Sequence, residues 1–396
     1  MVEVPTMSGK LLEALDTMRH SVEVAPYSER DFSPDNVRAY GQMCSDVAID
    51  LIERTEKAPN STILLPSRGA LPIFLGAVLA MREEETVREF SSDFLSRVVF
   101  PPFDCCKQLN GKVESKQDKP PIPVLLFPFT ADVNFHDEAL TTKIVGEMRR
   151  FCVKAVNAFY DDPEQRVNPE FTSFLRFLEV VEKRHDLAEY YRKFPKVQNL
   201  ILIDTVISGR ASATILEEFK RLSRLPETIL IIDANGQKLK SDYQMSLLRP
   251  GVERIRVSRI FTEDRGAALE GVAAVVYPTL INPPKNASIY GQFVSAGSWW
   301  DVPERSKGPY NAAFRQLLDL VTAGIKQEND EVIRPRVQKF LGTLKQGKIL
   351  FKDPKLNARD FTSFLATKVE ETSARVIQIS FSPQVTQDLL RQIYSK

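Results

Sequence analysis

A carboxylate followed by a short loop of small residues is the feature of this sequence with the clearest chemistry. Residues 199–203 are mostly apolar and lead to Asp204, and residues 208–212 contain only Ser, Gly, Arg and Ala. An apolar run without helical periodicity predicts a buried parallel strand. In a doubly wound sheet, anions bind where strand carboxyl ends meet helix amino termini, because N–H groups and the helix dipole favour negative charge there. The pattern therefore predicts a site for a phosphate and a sugar.

A helix is expected directly after this loop. Thr214 and Glu217 have the spacing of a capping box, in which a hydroxyl and a carboxylate satisfy N–H groups at a helix start. The alternative for Asp204 is structural, because an Asp at the end of a buried strand often only caps a helix or a turn.

A second strand, loop and helix occur earlier in the chain. Residues 61–65 are an apolar run, residues 67–69 are Ser, Arg and Gly, and an apolar helix is predicted from residue 70. Gly69 permits a backbone geometry that other residues resist, and Pro72 suits the first turn of a helix. The turn can therefore present its backbone amides to a ligand, although a plain structural turn is an equal alternative.

Together, these segments resemble the type I phosphoribosyltransferase family. In that family, an apolar strand delivers two acidic residues that hold the ribose hydroxyls of phosphoribosyl diphosphate, and the next loop holds its 5-phosphate. The resemblance implies that Asp204 and Thr205 are the catalytic positions. It implies that the 5-phosphate is bound by Ser208, Gly209, Arg210, Ala211 and Ser212, and the diphosphate by Ser67, Arg68 and Gly69.

Two positions depart from the family pattern. Thr205 stands where a second carboxylate is expected, and its hydroxyl lacks the charge that helps to hold magnesium or a developing oxocarbenium ion. Arg210 stands where glycine is usual, and its guanidinium can grip a phosphate, extend into solvent or pair with an acidic neighbour. The resemblance implies Mg²⁺ as the cofactor of an active enzyme, with Asp204 as a candidate ligand.

A further apolar strand is predicted at residues 227–232, followed by Asp233 and Asn235. In the family this region approaches the base, so the resemblance makes these two residues candidates for base recognition. The alternative is an Asx turn closed by Gly236.

The predicted fold is α/β, with a doubly wound, mainly parallel sheet of about six strands and of phosphoribosyltransferase type. The length of 396 residues indicates two or three domains. We expect an N-terminal helical region (1–60), the α/β domain (61–281) with a helical insertion near 138–197, a linker (282–309) and a C-terminal helical module (310–396). Strands are also expected at 122–129, 255–261 and 272–277, and a helix at about 34–56.

The composition narrows the functional class. The chain is 43% hydrophobic and 27% charged, as is usual for globular proteins, and its net charge of +1 gives no strong nucleic-acid signal. It contains no apolar run of about 20 residues and does not begin with a signal sequence, so a cytoplasmic protein without membrane association is predicted. Its four cysteines lack the spacing of a disulfide framework or a zinc site.

The leading hypothesis is a phosphoribosyltransferase-like enzyme that binds a phosphorylated ribose compound and transfers or releases the ribosyl group. The alternative is a catalytically inactive sensor of a nucleotide or phosphoribose. In that case the C-terminal helical module would bind a protein partner. A third hypothesis is a scaffold protein that keeps the fold alone, without binding or transfer. Homo-oligomer formation is possible with each hypothesis.

Overall fold

The protein contains one all-parallel sheet of six strands within the residues that its structure describes. The computed structural model describes residues 32–66, 70–99, 119–127, 138–180, 185–206, 209–234, 251–258 and 307–346, with residues 243, 247 and 260. The strands are β1 (Ser61–Leu65), β2 (Val98–Val99), β3 (Ile122–Leu126), β4 (Asn199–Val206), β5 (Glu227–Asp233) and β6 (Val252–Val257). Their order is β2-β3-β1-β4-β5-β6, and all neighbours are parallel. The predicted α/β class is therefore confirmed.

Nine α-helices surround this sheet in the described ranges. They are α1 (Pro34–Lys57), α2 (Ala70–Glu83), α3 (Glu85–Arg97), α4 (Glu138–Asn157), α5 (Pro169–Val180), α6 (His185–Lys193), α7 (Arg210–Arg221), α8 (Lys307–Ile325) and α9 (Asp330–Gln346). Short 3₁₀ helices lie at Ala158–Tyr160 and Pro163–Gln165. Helix α1 matches its predicted span because Ser33 caps it, accepting a hydrogen bond from the backbone N–H of Asn36, and Pro34 occupies its first turn.

Both faces of the sheet are covered by helices, which explains why β1, β4 and β5 are mostly apolar and buried, whereas the edge strand β6 contains both apolar and charged residues. Seven of the eight residues of β4 are buried. Side chains of a strand alternate between the two faces, so Ile201 and Ile203 join one core while Leu202 and Val206 join another. The first core is completed by residues of α1, α2, α3, α8 and α9, and the second by residues of α4, α5, α6 and α7.

Helices near the two ends of the described chain pack in the same core. Val37 and Tyr40 of α1 lie in the first core together with Leu317 and Val321 of α8. Arg38 of α1 also forms an ion pair with α9, with its guanidinium 3.0 Å from the carboxylate of Asp330. Residues 307–346 therefore extend the core of the first sheet face. The predicted boundaries of the N-terminal region, the linker and the C-terminal module stay predictions.

Some predicted element boundaries are wrong. Strand β6 begins three residues before the predicted start at 255 and ends at Val257, and β3 ends at Leu126. The two-residue strand β2 was not predicted, because two residues are too few to show a pattern of apolar side chains. The strand expected at 272–277 lies outside the described residues. No helix among the described residues is both long and apolar enough to cross a membrane.

Candidate functional site

The predicted loops follow two strands that are neighbours in the sheet. Strands β1 and β4 pair in parallel, with Leu64 opposite Leu202, so their carboxyl ends lie at one edge. The chain leaves β1 towards β2 and β3 on one side, whereas β5 and β6 lie on the other side of β4. Such a reversal of strand order is a topological switch point, where open α/β sheets bind ligands. The sheet therefore brings the ends of β1 and β4 together at the expected edge.

Helix α7 begins at this edge, earlier than the sequence predicted. Its N-cap is Gly209, which has a φ of +83° and makes no side-chain capping hydrogen bond. The backbone N–H of Ala213 donates to the Gly209 carbonyl at 3.0 Å. The N–H groups of residues 210–212 precede this first bond, so they have no acceptor within the helix. The amino terminus of α7 can therefore donate to an anion.

The predicted capping box is wrong. Thr214 lies inside α7, and its hydroxyl donates to the Arg210 carbonyl at 2.7 Å. Gly209 occupies the N-cap position in place of a residue with a capping side chain. Its positive φ is a conformation that other residues rarely adopt. As a result, three of the predicted phosphate-loop residues (Arg210, Ala211 and Ser212) form the first turn of a helix.

Asp204 is buried, and both of its carboxylate oxygens accept hydrogen bonds. Oδ1 accepts from the backbone N–H of Thr205 at 2.9 Å, and Oδ2 accepts from the Ser212 hydroxyl at 2.6 Å. The residue is 4% exposed. Burial raises its pKa to about 6, although these two hydrogen bonds and the charge of Arg149 act in the opposite direction. The carboxyl group therefore faces the inside of the protein.

Ser212 is buried as well, with 1% of its surface exposed. Its side chain lies on the inner side of α7, the side that carries Ala213 and Leu216 into the second core. Its hydroxyl donates to Asp204. Ser212, which was predicted to bind phosphate, therefore connects α7 to β4.

The structure does not bring the Asp204 and Thr205 side chains together. Strand β4 continues to Val206, two residues beyond the predicted end, so side chains still alternate at these positions. Asp204 shares the second face with Leu202, and Thr205 shares the first face with Ile203. They therefore do not form a side-by-side pair like the acidic pair of the resembling family.

Asp233, a predicted base-side candidate, lies on β5 and belongs to the same face as Thr205. Thr205 is opposite Ile231 in the sheet, and Asp233 follows two residues later on that strand. Both residues are buried, and the Asp233 carboxylate accepts a hydrogen bond from the backbone N–H of Ile260 at 3.2 Å. This contact links β5 to the segment after β6. It differs from both roles expected for Asp233, which were an Asx turn and base recognition.

Other predicted residues are half-buried or outside the described part of the chain. Arg210 and Ala211 are half-buried at the start of α7. The predicted diphosphate residues (Ser67, Arg68 and Gly69), the loop residue Ser208 and the base-side residue Asn235 lie outside the described residues.

The described residues do not fit a magnesium ion held by protein side chains alone. Within them, no three His, Cys, Asp or Glu side chains lie close enough to hold a metal ion. Mg²⁺ prefers carboxylate oxygens in an octahedral arrangement, but the Asp204 carboxylate is buried and bonded to Ser212 beneath α7. Thr205 occupies the position of the family's second carboxylate, and its side chain lies on the opposite face of the sheet from Asp204.

Comparison with protein-family models, curated proteins and solved structures finds no match to this chain. The phosphoribosyltransferase resemblance therefore depends on the sequence segments at 61–72 and 199–212. Arg149 of α4 is a further buried residue near the site that sequence reasoning missed, and its charge lowers the pKa of Asp204. It lies 55 positions before Asp204, and no motif connects the two.

Proposed function

We propose that this protein binds a phosphorylated ribose compound, such as phosphoribosyl diphosphate, and transfers or releases its ribosyl group. The fold in this proposal is that of a type I phosphoribosyltransferase. The observation that carries the proposal is the pairing of β1 with β4. It supports a single site because the two strands whose following loops resemble the family's phosphate loops end side by side at the switch point.

The start of α7 supports phosphate as the ligand group. Its first turn offers N–H groups without intrahelical acceptors, and Gly209 lets the backbone turn there without a Cβ. The half-buried Arg210 adds a positive charge at the same end of the helix. A phosphate at this position gains from hydrogen bonds, from the helix dipole and from the guanidinium.

In the proposed reaction, the sugar becomes positively charged as the bond at its anomeric carbon breaks. Such a reaction depends on placing the phosphates and on electrostatic stabilisation more than on a nucleophilic side chain. The resemblance assigns magnesium to this chemistry, where it would neutralise the leaving diphosphate. Because the described residues do not form a magnesium site, titrations with and without Mg²⁺ belong in the test.

A sensor that binds the same ligand without transferring the ribosyl group is the second candidate. The burial of Asp204 and the orientation of Thr205 favour it, because neither supplies a free carboxylate to a developing positive charge. In both candidates the ligand and its position are the same, and only the chemical step differs.

Calorimetric titration of the full chain with phosphoribosyl diphosphate tests the binding. Gly209→Ala should weaken the affinity at least tenfold, because it forces a Cβ into a positive-φ position at the phosphate site. Gly251→Ala is the matched control, since Gly251 has a φ of +80° but precedes β6, at the opposite edge of the sheet. We expect this control to keep the wild-type affinity. A wild-type chain that does not bind phosphoribosyl diphosphate, ribose 5-phosphate or nucleotides contradicts both candidates.

Release of diphosphate separates the enzyme from the sensor. The wild-type chain is incubated with phosphoribosyl diphosphate, Mg²⁺ and a panel of purine and pyrimidine bases. Turnover with any base supports transfer, and turnover without a base supports release of the ribosyl group to water. Binding without turnover in all of these mixtures supports the sensor.

A further inference from the structure

We propose that Asp204 is a positioning residue that fixes the first turn of α7 through Ser212, and that it does not contact the sugar. This inference rests on the proposed function as far as the ligand is concerned. It differs from the role that the family resemblance implies, in which this carboxylate holds the ribose hydroxyls.

The location of Asp204 supports this assignment. The residue lies two positions before the end of β4, which at about 3.3 Å per residue places its backbone roughly 7 Å from the strand end. Its side chain enters the second face, where Leu202, Ala213 and Leu216 form the core beneath α7. Its low exposure leaves little surface for a sugar hydroxyl to reach.

The hydrogen bonds of Asp204 also favour a positioning role. One oxygen is held by the N–H of Thr205, which orients the carboxylate within its own strand. The other oxygen receives the Ser212 hydroxyl at 2.6 Å, a short distance that is typical of a hydrogen bond to a charged acceptor. This pair of residues thus joins the third residue of α7 directly to the sheet.

Helix α7 needs such a link because its N-cap supplies none. Gly209 makes no side-chain capping bond, and its flexibility alone would let the first turn fray. The Asp204–Ser212 bond holds that turn, and the N–H groups of residues 210–212 keep their direction as a consequence. Preorganised donors bind an anion more tightly than mobile ones, because no ordering is needed on binding.

The test compares two ligands on full-length variants by calorimetry. Ribose 5-phosphate carries ring hydroxyls, whereas tetrahydrofurfuryl phosphate keeps the ring and the phosphate without them. Ser212→Ala and Asp204→Ala should each weaken both ligands by about tenfold, which is the cost of losing one buried hydrogen bond at the site. The double variant should be no weaker than either single variant, because both remove the same link.

Asp204→Asn keeps the test valid if Asp204→Ala does not fold. The asparagine oxygen can accept from the Thr205 N–H while its amide donates to the Ser212 oxygen, so both hydrogen bonds are retained. We expect affinities within twofold of wild type. Thr214→Ala is the control in the same helix, because the Thr214 hydroxyl bonds only within α7, to Arg210. It should leave the binding of both ligands unchanged.

A result in which Asp204→Ala weakens only ribose 5-phosphate, and Ser212→Ala weakens neither ligand, would overturn the inference in favour of direct sugar contact. A measurement without ligand separates this failure from that of the proposed function. Amide hydrogen exchange of residues 213–216 should become faster in Ser212→Ala relative to residues 218–221. Unchanged exchange excludes the positioning role, even if no ligand binds.

Discussion

Asp204 and Thr205 are consecutive residues of β4, and their side chains lie on opposite faces of the sheet. Asp204 faces α7 in the second core, and Thr205 faces the first core on the same side as Ile203. An acidic residue at position 205 would therefore not complete a pair with Asp204 in this geometry. The two side chains lie in different surroundings, and Asp204 accepts a hydrogen bond from Ser212 in the first turn of α7.

The stability of the protein should depend on pH through Asp204. Burial raises the pKa of this group from its ordinary 3.8 to about 6, so the folded state binds the proton more tightly than the unfolded state. The stabilisation from protonated Asp204 is complete below the pKa that this group has in the unfolded state. It is lost as pH rises through the pKa of the folded state. At about 1.4 kcal/mol per pKa unit, the loss between pH 4 and pH 8 is about 2 kcal/mol.

Asp204→Asn removes this titration and keeps both hydrogen-bond partners. Its free energy of unfolding relative to wild type should therefore rise by about 2 kcal/mol between pH 4 and pH 8, as measured by urea denaturation. A pH-independent difference for Asp204→Asn would contradict the raised pKa.

Arg210 should contribute to ligand affinity through its charge. We expect Arg210→Ala to weaken phosphoribosyl diphosphate about tenfold at low salt, because a charge-assisted hydrogen bond to phosphate is lost. The difference should shrink as salt screens the charge. Arg221→Ala is the control at the other end of the same helix, where Arg221 pairs with Glu218. Equal losses in the two variants would show that Arg210 has no direct role.

The sheet was largely predictable from the sequence, because buried parallel strands have a strong signal. The runs ending at Leu65, Asp204 and Asp233 are continuous and apolar, and each forms a strand in the structure. A helix was also expected at about 34–56, and α1 spans Pro34–Lys57 with Tyr40, Met43, Val47 and Leu51 buried at helical spacing. Periodicity therefore recovered the elements whose burial is regular.

The sequence did not predict which face of the sheet each side chain of the site enters. The prediction ended β4 at Asp204, but the strand continues for two residues, and one residue of register decides which face a side chain enters. The start of α7 was placed at a side-chain cap, although a glycine with positive φ serves there. The Asp204–Ser212 bond depends on both features, so it could be found only from the three-dimensional arrangement.

Arg97 should be essential for stability at the amino edge of the sheet. Its buried guanidinium donates to the carbonyls of Pro59 and Pro120, at 2.6 and 2.9 Å, and pairs with Asp93. Arg97→Ala removes two hydrogen bonds from a charged donor and the ion pair with Asp93, so we expect a loss of about 3 kcal/mol in the free energy of unfolding.

A matched surface variant gives the scale for that measurement. Arg334→Ala removes an ion pair with Asp330 in which the arginine side chain is 63% exposed, and it should cost less than about 1 kcal/mol. Denaturant titration of both variants gives the comparison. If both lose equally little, the buried guanidinium does not hold the starts of β1 and β3 together.

The crossing of α1 and α8 should tolerate no side chain at its closest point. A Cβ on Gly324 would lie 2.2 Å from the Val37 carbonyl oxygen, and one on Gly41 would lie 2.0 Å from the backbone of Gly324. Both neighbours are backbone atoms, so the helices would have to separate. We expect Gly324→Ala to destabilise the protein by about 3 kcal/mol, as overpacking of a tight core does.

Gly342→Ala in α9 is the matched control, because a Cβ there meets nothing within 4 Å. Alanine favours a helix over glycine by about 1 kcal/mol, so this variant should be neutral or slightly more stable. The two substitutions therefore have opposite expected signs in thermal or urea unfolding. Equal effects would mean that α1 and α8 do not cross at these glycines, and that residues 307–346 do not complete the core of the first sheet face.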